Sequence, residues 1–244
     1  MFYGYGVLNN HVPTLKATAM RGGSASPLLT NLYAVYKAES NANDSLATYN
    51  GTAQGGLTYS TGKSGNTFTF NGTNAYVSLP NNMFNSFTGD FSISFWYNPN
   101  NLTGLKDLVS SFTYSGGNYY GFEISTVSNT FGIYVYNGTL SSVALLSGAG
   151  TAVVGAFSHV VITRKASTGT KIYINGILDN ANSSAVNCVF ASTNSNCLGA
   201  SIFSGSATNY ANGTLDEVNI WNKELTATEV TELYNAGTGK FYPY

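Results

Sequence analysis

From Leu32 onward, short apolar runs alternate with clusters of Gly, Asn, Ser and Thr, and helical periodicity is almost absent. Runs of four to nine residues with period-2 alternation, bounded by turn residues, read as half-buried β-strands. The candidates are 32–38, 67–70, 75–79, 90–97, 107–114, 119–125, 131–136, 141–147, 157–165, 170–176, 196–201 and 214–221. Asn-Gly pairs at Asn71, Asn137, Asn175 and Asn212 sit at or between them, where a tight hairpin needs positive φ. Within "DFSISFWY" the alternation sets Phe91, Ile93, Phe95 and Tyr97 on one face and Ser92, Ser94 and Trp96 on the other. Many short strands of this kind predict an all-β sandwich with an apolar inner side.

One segment breaks the pattern. Thr226 followed by Glu229 forms the sequence of a capping box, and Leu225 with Val230 is placed as a hydrophobic staple. Ala227, Val230, Leu233 and Tyr234 then make an apolar stripe at helical spacing, with Gly237 as a stop. A short C-terminal helix is expected. Residues 1–30 show no sustained period and read as an N-terminal arm ahead of a domain at 31–240, suited to docking into a larger assembly.

Composition narrows the function classes. Charged residues are only 9% of the chain and the formal net charge is −1. Without a cationic cluster there is nothing to displace phosphate counterions, so nucleic acid is not an expected partner. No apolar run is long enough to span a bilayer as a helix. The first residues lack the charged start and apolar core of a secretory signal. Two histidines and two cysteines are too few for a multi-histidine or four-ligand zinc centre. Cys188 and Cys197 are close enough in sequence to pair across a hairpin or to remain free thiols. Seven Asn-x-Ser/Thr sequons occur, at Asn43, Asn50, Asn71, Asn101, Asn137, Asn182 and Asn212, several of them on the turn residues themselves.

Taken together, "FTFNGTNAYVSLP", "FSISFWYNP", "FSHVVITRKASTGTKIYINGIL" and "NGTLDEVNIWNKELTATEVTELYNAG" resemble, in order, the strand motifs of laminin-G-like domains in the concanavalin A-like lectin/glucanase superfamily. The resemblance covers roughly residues 31–238. It implies a two-sheet antiparallel jelly-roll sandwich, with the short helix at its end. Phe157 stands where the family often has Trp, and Asn71 where it often has Asp. Such sandwiches include lectins, adhesion domains, glycosidases, lyases and virion proteins, so the fold leaves function open.

Catalysis has little support. β-Glucan-hydrolysing relatives set carboxylates on one strand as Glu-x-Asp-x-x-Glu or Glu-x-Asp-x-Glu, and neither run occurs. Asp216 and Glu217 are adjacent, so alternation sends them to opposite faces. Asp216 is expected beside Val218 and Ile220, and Glu217 beside Asn219 and Trp221, within reach of Arg164 or Lys171. A Glu123–Glu217 pair across neighbouring strands is the remaining carboxylate option. The Gln-x-His strand of the lyases is missing, and no Gly-x-Ser-x-Gly elbow serves His159.

The resemblance also implies a structural Ca²⁺, because the residue matching Asp216 can join one in related sandwiches. Asp44, in the oxygen-rich "ESNANDS" loop, is the expected second ligand. Ligand-binding candidates are the aromatic residues near polar partners: Trp96, Tyr119, Tyr120, Tyr210 and Trp221. The expected function is that of a non-enzymatic structural protein of a virion (phage decoration or fibre type) or other extracellular surface. It would be oligomeric in its assembly and carry a lectin-like domain for glycan or host-surface attachment. The alternative is a glycan-binding module of a bacterial cell-surface or secreted system; a glycoside hydrolase stands behind both.

Overall fold

The computed structural model describes residues 26–87, 89–139 and 142–244. Most of the expected arm, residues 1–25, therefore lies outside the described residues.

The strands are β1 (Leu32–Tyr36), β2 (Thr52–Gln54), β3 (Thr58–Thr61), β4 (Asn66–Asn71), β5 (Tyr76–Leu79) and β6 (Phe91–Pro99). The long central group follows: β7 (Leu105–Ser115), β8 (Asn118–Val127), β9 (Thr130–Thr139) and β10 (Ser142–Leu146). Then come β11 (Ser158–Lys165), β12 (Gly169–Ile174), β13 (Ile177–Asn182), β14 (Ser195–Leu198), β15 (Ser201–Phe203), β16 (Ser206–Thr208) and β17 (Asn212–Trp221). One helix, α1 (Ala227–Tyr234), comes next. The first sheet runs β13-β12-β11-β6-β17-β4-β3, with β1 beside β17 beyond the end of β4. The second runs β10-β9-β8-β7-β14-β5-β2, and β15 with β16 forms a separate hairpin. All the strand pairings are antiparallel, as the jelly-roll expectation requires.

The alternation of β6 reappears as packing. Phe91, Ile93, Phe95 and Tyr97 enter the core between the sheets, joined by Phe122 and Ile124 of β8, Ile133 and Val135 of β9, and Val218 and Ile220 of β17. The opposite face of the first sheet is covered as well. A second apolar cluster of Leu28, Val161, Tyr173, Trp221, Leu225, Val230 and Leu233 seals it, with Tyr244 packed against it. Leu28 is fully buried and its carbonyl accepts from Trp221 Nε1 at 2.7 Å, so the packed unit begins before residue 31.

α1 forms as its cap dictates. Thr226 Oγ1 accepts from the Glu229 backbone N–H at 3.2 Å, and Glu229 Oε2 accepts from the Thr226 N–H at 2.7 Å. The helix closes at Asn235, in the left-handed region at φ 47°, two residues before the expected stop at Gly237. Among the described residues no helix is long and apolar enough to cross a membrane.

β17 departs from the sequence reading at its acidic pair. Asp216 faces Trp96 and Asn219 faces Ser94, so two residues, Glu217 and Val218, oppose the single Phe95. This is a β-bulge, with Glu217 at φ 49°. The extra residue resets the alternation. Asp216 therefore does not share a face with Val218 and Ile220, which point into the core. The cysteines do not bond: both are buried free thiols, and Cys188 Sγ donates to the Gly121 carbonyl at 3.1 Å.

Candidate functional site

The outer face of the first sheet cannot present aromatic rings to a ligand. Trp96 is 4% exposed. It packs against His159 and Tyr234, at ring distances of 4.8 and 5.9 Å, and those two rings also stack on each other at 6.0 Å; Lys63 Nζ lies 4.4 Å from the Trp96 ring centre. Lys63 is itself held by the Gly237 carbonyl at 2.6 Å. Trp221 is fully buried and stacks with Tyr244. Both tryptophans are thus removed from the ligand-binding set by the helix and tail that follow β17. His159 is buried too, which holds its pKa down to about 3 and keeps it neutral. Its Nε2 lies 3.0 Å from Ser94 Oγ, but packing seals that Ser–His pair from any substrate.

The outer face of the second sheet is built differently. In β8 and β9 the core takes Phe122, Ile124, Ile133 and Val135, so alternation turns Glu123, Ser125, Tyr134 and Tyr136 outward. Register places Glu123 in a row between Ser110 and Tyr134, and Gly121 between Phe112 and Tyr136. Gly121 sits at φ +93° and brings no side chain into that row. The β15–β16 hairpin leans over this surface: the Phe203 ring stacks 6.2 Å from Phe112 and 5.7 Å from Tyr114. Tyr119 completes the aromatic wall, 5.9 Å from Phe112 and 5.5 Å from Tyr136.

Between this wall and the hairpin lies a cavity of about 370 Å³, lined also by Glu123, Tyr134, Thr208 and Asn209. That size suits one or two sugar rings. The hairpin is anchored from below by Asp107, which is fully buried. Asp107 accepts from Ser125 Oγ at 2.5 Å, Ser201 Oγ at 2.7 Å and Asn209 Nδ2 at 3.0 Å. Glu123 is 8% exposed and accepts from Tyr136 OH at 2.6 Å. Burial and then the nearby Asp107 charge push its pKa up to about 7, against the pull of its hydrogen bonds. Burial likewise raises the pKa of Asp107.

Of the five expected ligand-binding residues only Tyr119 lines this cavity. Tyr120 packs against Gly138, and Tyr210 lies beside Tyr76. Phe112, Glu123, Tyr134, Tyr136 and Phe203 were not among the expected ligands. The signal for three of them was present, since Glu123, Tyr134 and Tyr136 alternate with core residues. The remaining carboxylate option, a Glu123–Glu217 pair, does not form, because β8 and β17 belong to different sheets. A second depression, of about 590 Å³, is bounded by Asn100–Thr103, Ser128, Asn129 and Val154, without an aromatic ring.

The two expected calcium ligands do not fit a shared ion. Asp44 Oδ1 accepts from the backbone N–H groups of Val35 and Leu46, and Oδ2 from those of Thr48 and Tyr49, at 2.9 to 3.2 Å. Asp216 Oδ2 accepts from Lys63 and Ser64 N–H at 2.7 and 3.0 Å, and Oδ1 from Glu217 N–H at 2.9 Å. Backbone donors occupy the lone pairs a cation would need, and each carboxylate organises its own loop. Glu217 meets neither Arg164 nor Lys171: Arg164 donates to Thr170 and the Val186 carbonyl, and Lys171 pairs with Glu224 at 2.7 Å. Glu217 is 1% exposed and neither of its carboxylate oxygens has a hydrogen-bond partner.

Comparison with known proteins agrees with this architecture. A laminin-G-type family model of the concanavalin A-like lectin/glucanases superfamily matches residues 71–231, and the chain belongs to that family. No curated protein matches by sequence. Among solved structures, domain 4 of AbnA, a GH43 extracellular arabinanase from Geobacillus stearothermophilus, in complex with arabinotriose, superposes with a TM-score of 0.66. It is 21% identical, over 86% of this chain and 98% of that one. A structure of botulinum neurotoxin type C, whose cell entry depends on interaction with two ganglioside molecules, has a TM-score of 0.67 and 16% identity, over 87% of this chain. This chain spans only 53% of that one. The CBM40 of a Ruminococcus gnavus IT-sialidase, bound to α2,3-sialyllactose, has a TM-score of 0.54 and 15% identity, over 63% of this chain and 84% of that one. At these identities the likeness speaks for the fold.

Proposed function

We propose that this chain is a non-catalytic glycan-binding module, and that its ligand enters the cavity between β8, β9 and the β15–β16 hairpin. The observation that carries the reading is the cavity itself, whose lining combines the rings of Phe112, Tyr119, Tyr134, Tyr136 and Phe203 with the polar groups of Glu123, Thr208 and Asn209. Sugar rings present apolar C–H faces to aromatic rings and hydroxyls to such acceptors and donors. The named ligands of several structural neighbours are glycans, which supports the same use. Catalysis is disfavoured because Asp107, the carboxylate nearest Glu123, is sealed under three donors and cannot reach a substrate.

A glycan array read with the purified chain tests this. Wild type is expected to retain a defined set of glycans. Tyr119→Ala is expected to weaken them by up to about tenfold, since losing one stacked ring costs about 0.5–1.5 kcal/mol. Unchanged retention in a folded Tyr119→Ala protein places the ligand elsewhere. The low charge and the Asn, Ser and Thr richness support a place on a virion or another surface assembly. Co-purification of the chain with particles tests that role separately.

A further inference from the structure

We propose that the cavity selects glycans that present a protonated amine, the chemistry of glucosamine units, and rejects acidic sugars. This rests on the glycan-binding reading above and names its ligand class.

The argument is one of charge inside an aromatic enclosure. The titratable groups facing Glu123 are Asp107 on β7, Tyr119 on its own strand, and Tyr134 and Tyr136 on β9. The hairpin and β10 contribute hydroxyls, an amide and a phenyl ring, and among the described residues no Lys, Arg or His lines the cavity. The lining can therefore carry negative charge and no positive charge. Glu123, almost buried, carries that charge at a desolvation cost that a cation held against it offsets. The rings of Tyr119 and Tyr136 line the same cavity, and an ammonium group held over an aromatic face is attracted further. A carboxylate-bearing sugar meets the reverse situation, with Glu123 in front, Asp107 behind and no cation among the lining residues to compensate. A neutral sugar gains hydrogen bonds and stacking without the charge term. The preference thus runs amine, then neutral, then acid. That is opposite in sign to what an acidic ligand such as sialyllactose requires of its site.

The test titrates the full chain at pH 7 with three trisaccharides: a glucosamine trimer, its fully N-acetylated counterpart and sialyllactose. The expected result is binding of the amine form about tenfold tighter than the N-acetylated form, with sialyllactose weakest, because a partly desolvated cation–π contact and charge pair are worth roughly 1–2 kcal/mol. The preference should shrink as salt rises and as alkali deprotonates the amine. In Glu123→Gln, checked for folding by circular dichroism, the amine and N-acetyl forms should bind within about twofold. Equal or tighter binding of the N-acetylated or sialylated sugar by wild type overturns the amine selectivity and leaves the glycan-binding reading standing. Amine preference retained in a folded Glu123→Gln protein also overturns it. Failure of all three sugars, together with an empty glycan array, removes both.

Discussion

The two sheets expose their outer faces to opposite fates. On the first, Ser94, Trp96, His159, Asp216, Glu217 and Trp221 are buried, as α1 and the C-terminal segment pack on the tryptophans and the Lys63–Ser64 loop closes over Asp216. On the second, Tyr119, Tyr134 and Tyr136 stay partly open, because among the described residues it is the short β15–β16 hairpin that leans over that surface. Both faces carry aromatic rings, a pair of carboxylates and hydroxyls, so composition does not separate them. The cover does. Where a helix seals the face, rings pack and carboxylates serve loops. Where a hairpin leaves a gap, similar residues line a cavity. A ring close to polar groups is thus evidence for a ligand only once its solvent access is known.

The sharpest way to break this contrast is to remove a ring from the sealed face. Trp221→Ala deletes a fully buried indole and its hydrogen bond to Leu28. It should cost about 3–5 kcal/mol in chemical denaturation, while the folded fraction keeps its glycan binding. A loss of binding without a loss of stability would reverse the roles assigned to the two faces.

A smaller effect concerns the acids. Burial, with the neighbouring Asp216 charge next, raises Glu217 to about 8, and burial raises Asp216 to about 7. Both stand above the value of about 4 expected in the unfolded chain. Between those limits the folded state keeps protons that the unfolded state has released. Stability is therefore fully present below about pH 4 and lost as pH rises through 7 to 8. Glu217→Gln resembles the protonated acid in shape and removes the titration. Its melting temperature should exceed that of wild type by several degrees at pH 8 and match it near pH 4. A variant less stable than wild type at pH 8 would show that the Glu217 charge has a stabilising partner.

The smallest effect expected is none. Asp44 and Asp216 each bind backbone N–H groups, so EDTA should leave the melting temperature of the purified chain within error of the untreated value. A fall restored by Ca²⁺ would show that an ion, rather than these N–H groups, holds the loops.

Much of the architecture was legible in the chain. The alternation in "DFSISFWY" placed the core residues of β6 correctly, and Thr226 with Glu229 marked the start of α1. The bulge at Glu217 was not legible, because it arises from how β17 registers against β6 rather than from its own pattern. The burial of Trp96 and Trp221 was not legible either, since it depends on a helix and a tail that pass over the sheet later in the chain. In the cavity, alternation already turned Glu123, Tyr134 and Tyr136 to one side. What joined them to Phe112 and Phe203 was the cross-strand register and the lean of the hairpin.

By itself the sequence determined that the chain forms strands of alternating character, turns the β12–β13 hairpin at Asn175-Gly176, and caps one helix. These are local effects, set by backbone sterics and by the period of the side chains along an extended chain. Asn137-Gly138 and Asn212-Gly213, expected as turns, lie inside β9 and β17. Only the tertiary structure decided which outer face is closed and which carboxylate is left without a partner. It also decided which tyrosines border a cavity. Those outcomes depend on contacts between segments a hundred or more residues apart, such as Trp221 with Leu28 and Asn209 with Asp107, and period-2 alternation carries no information about what lies across a sheet face.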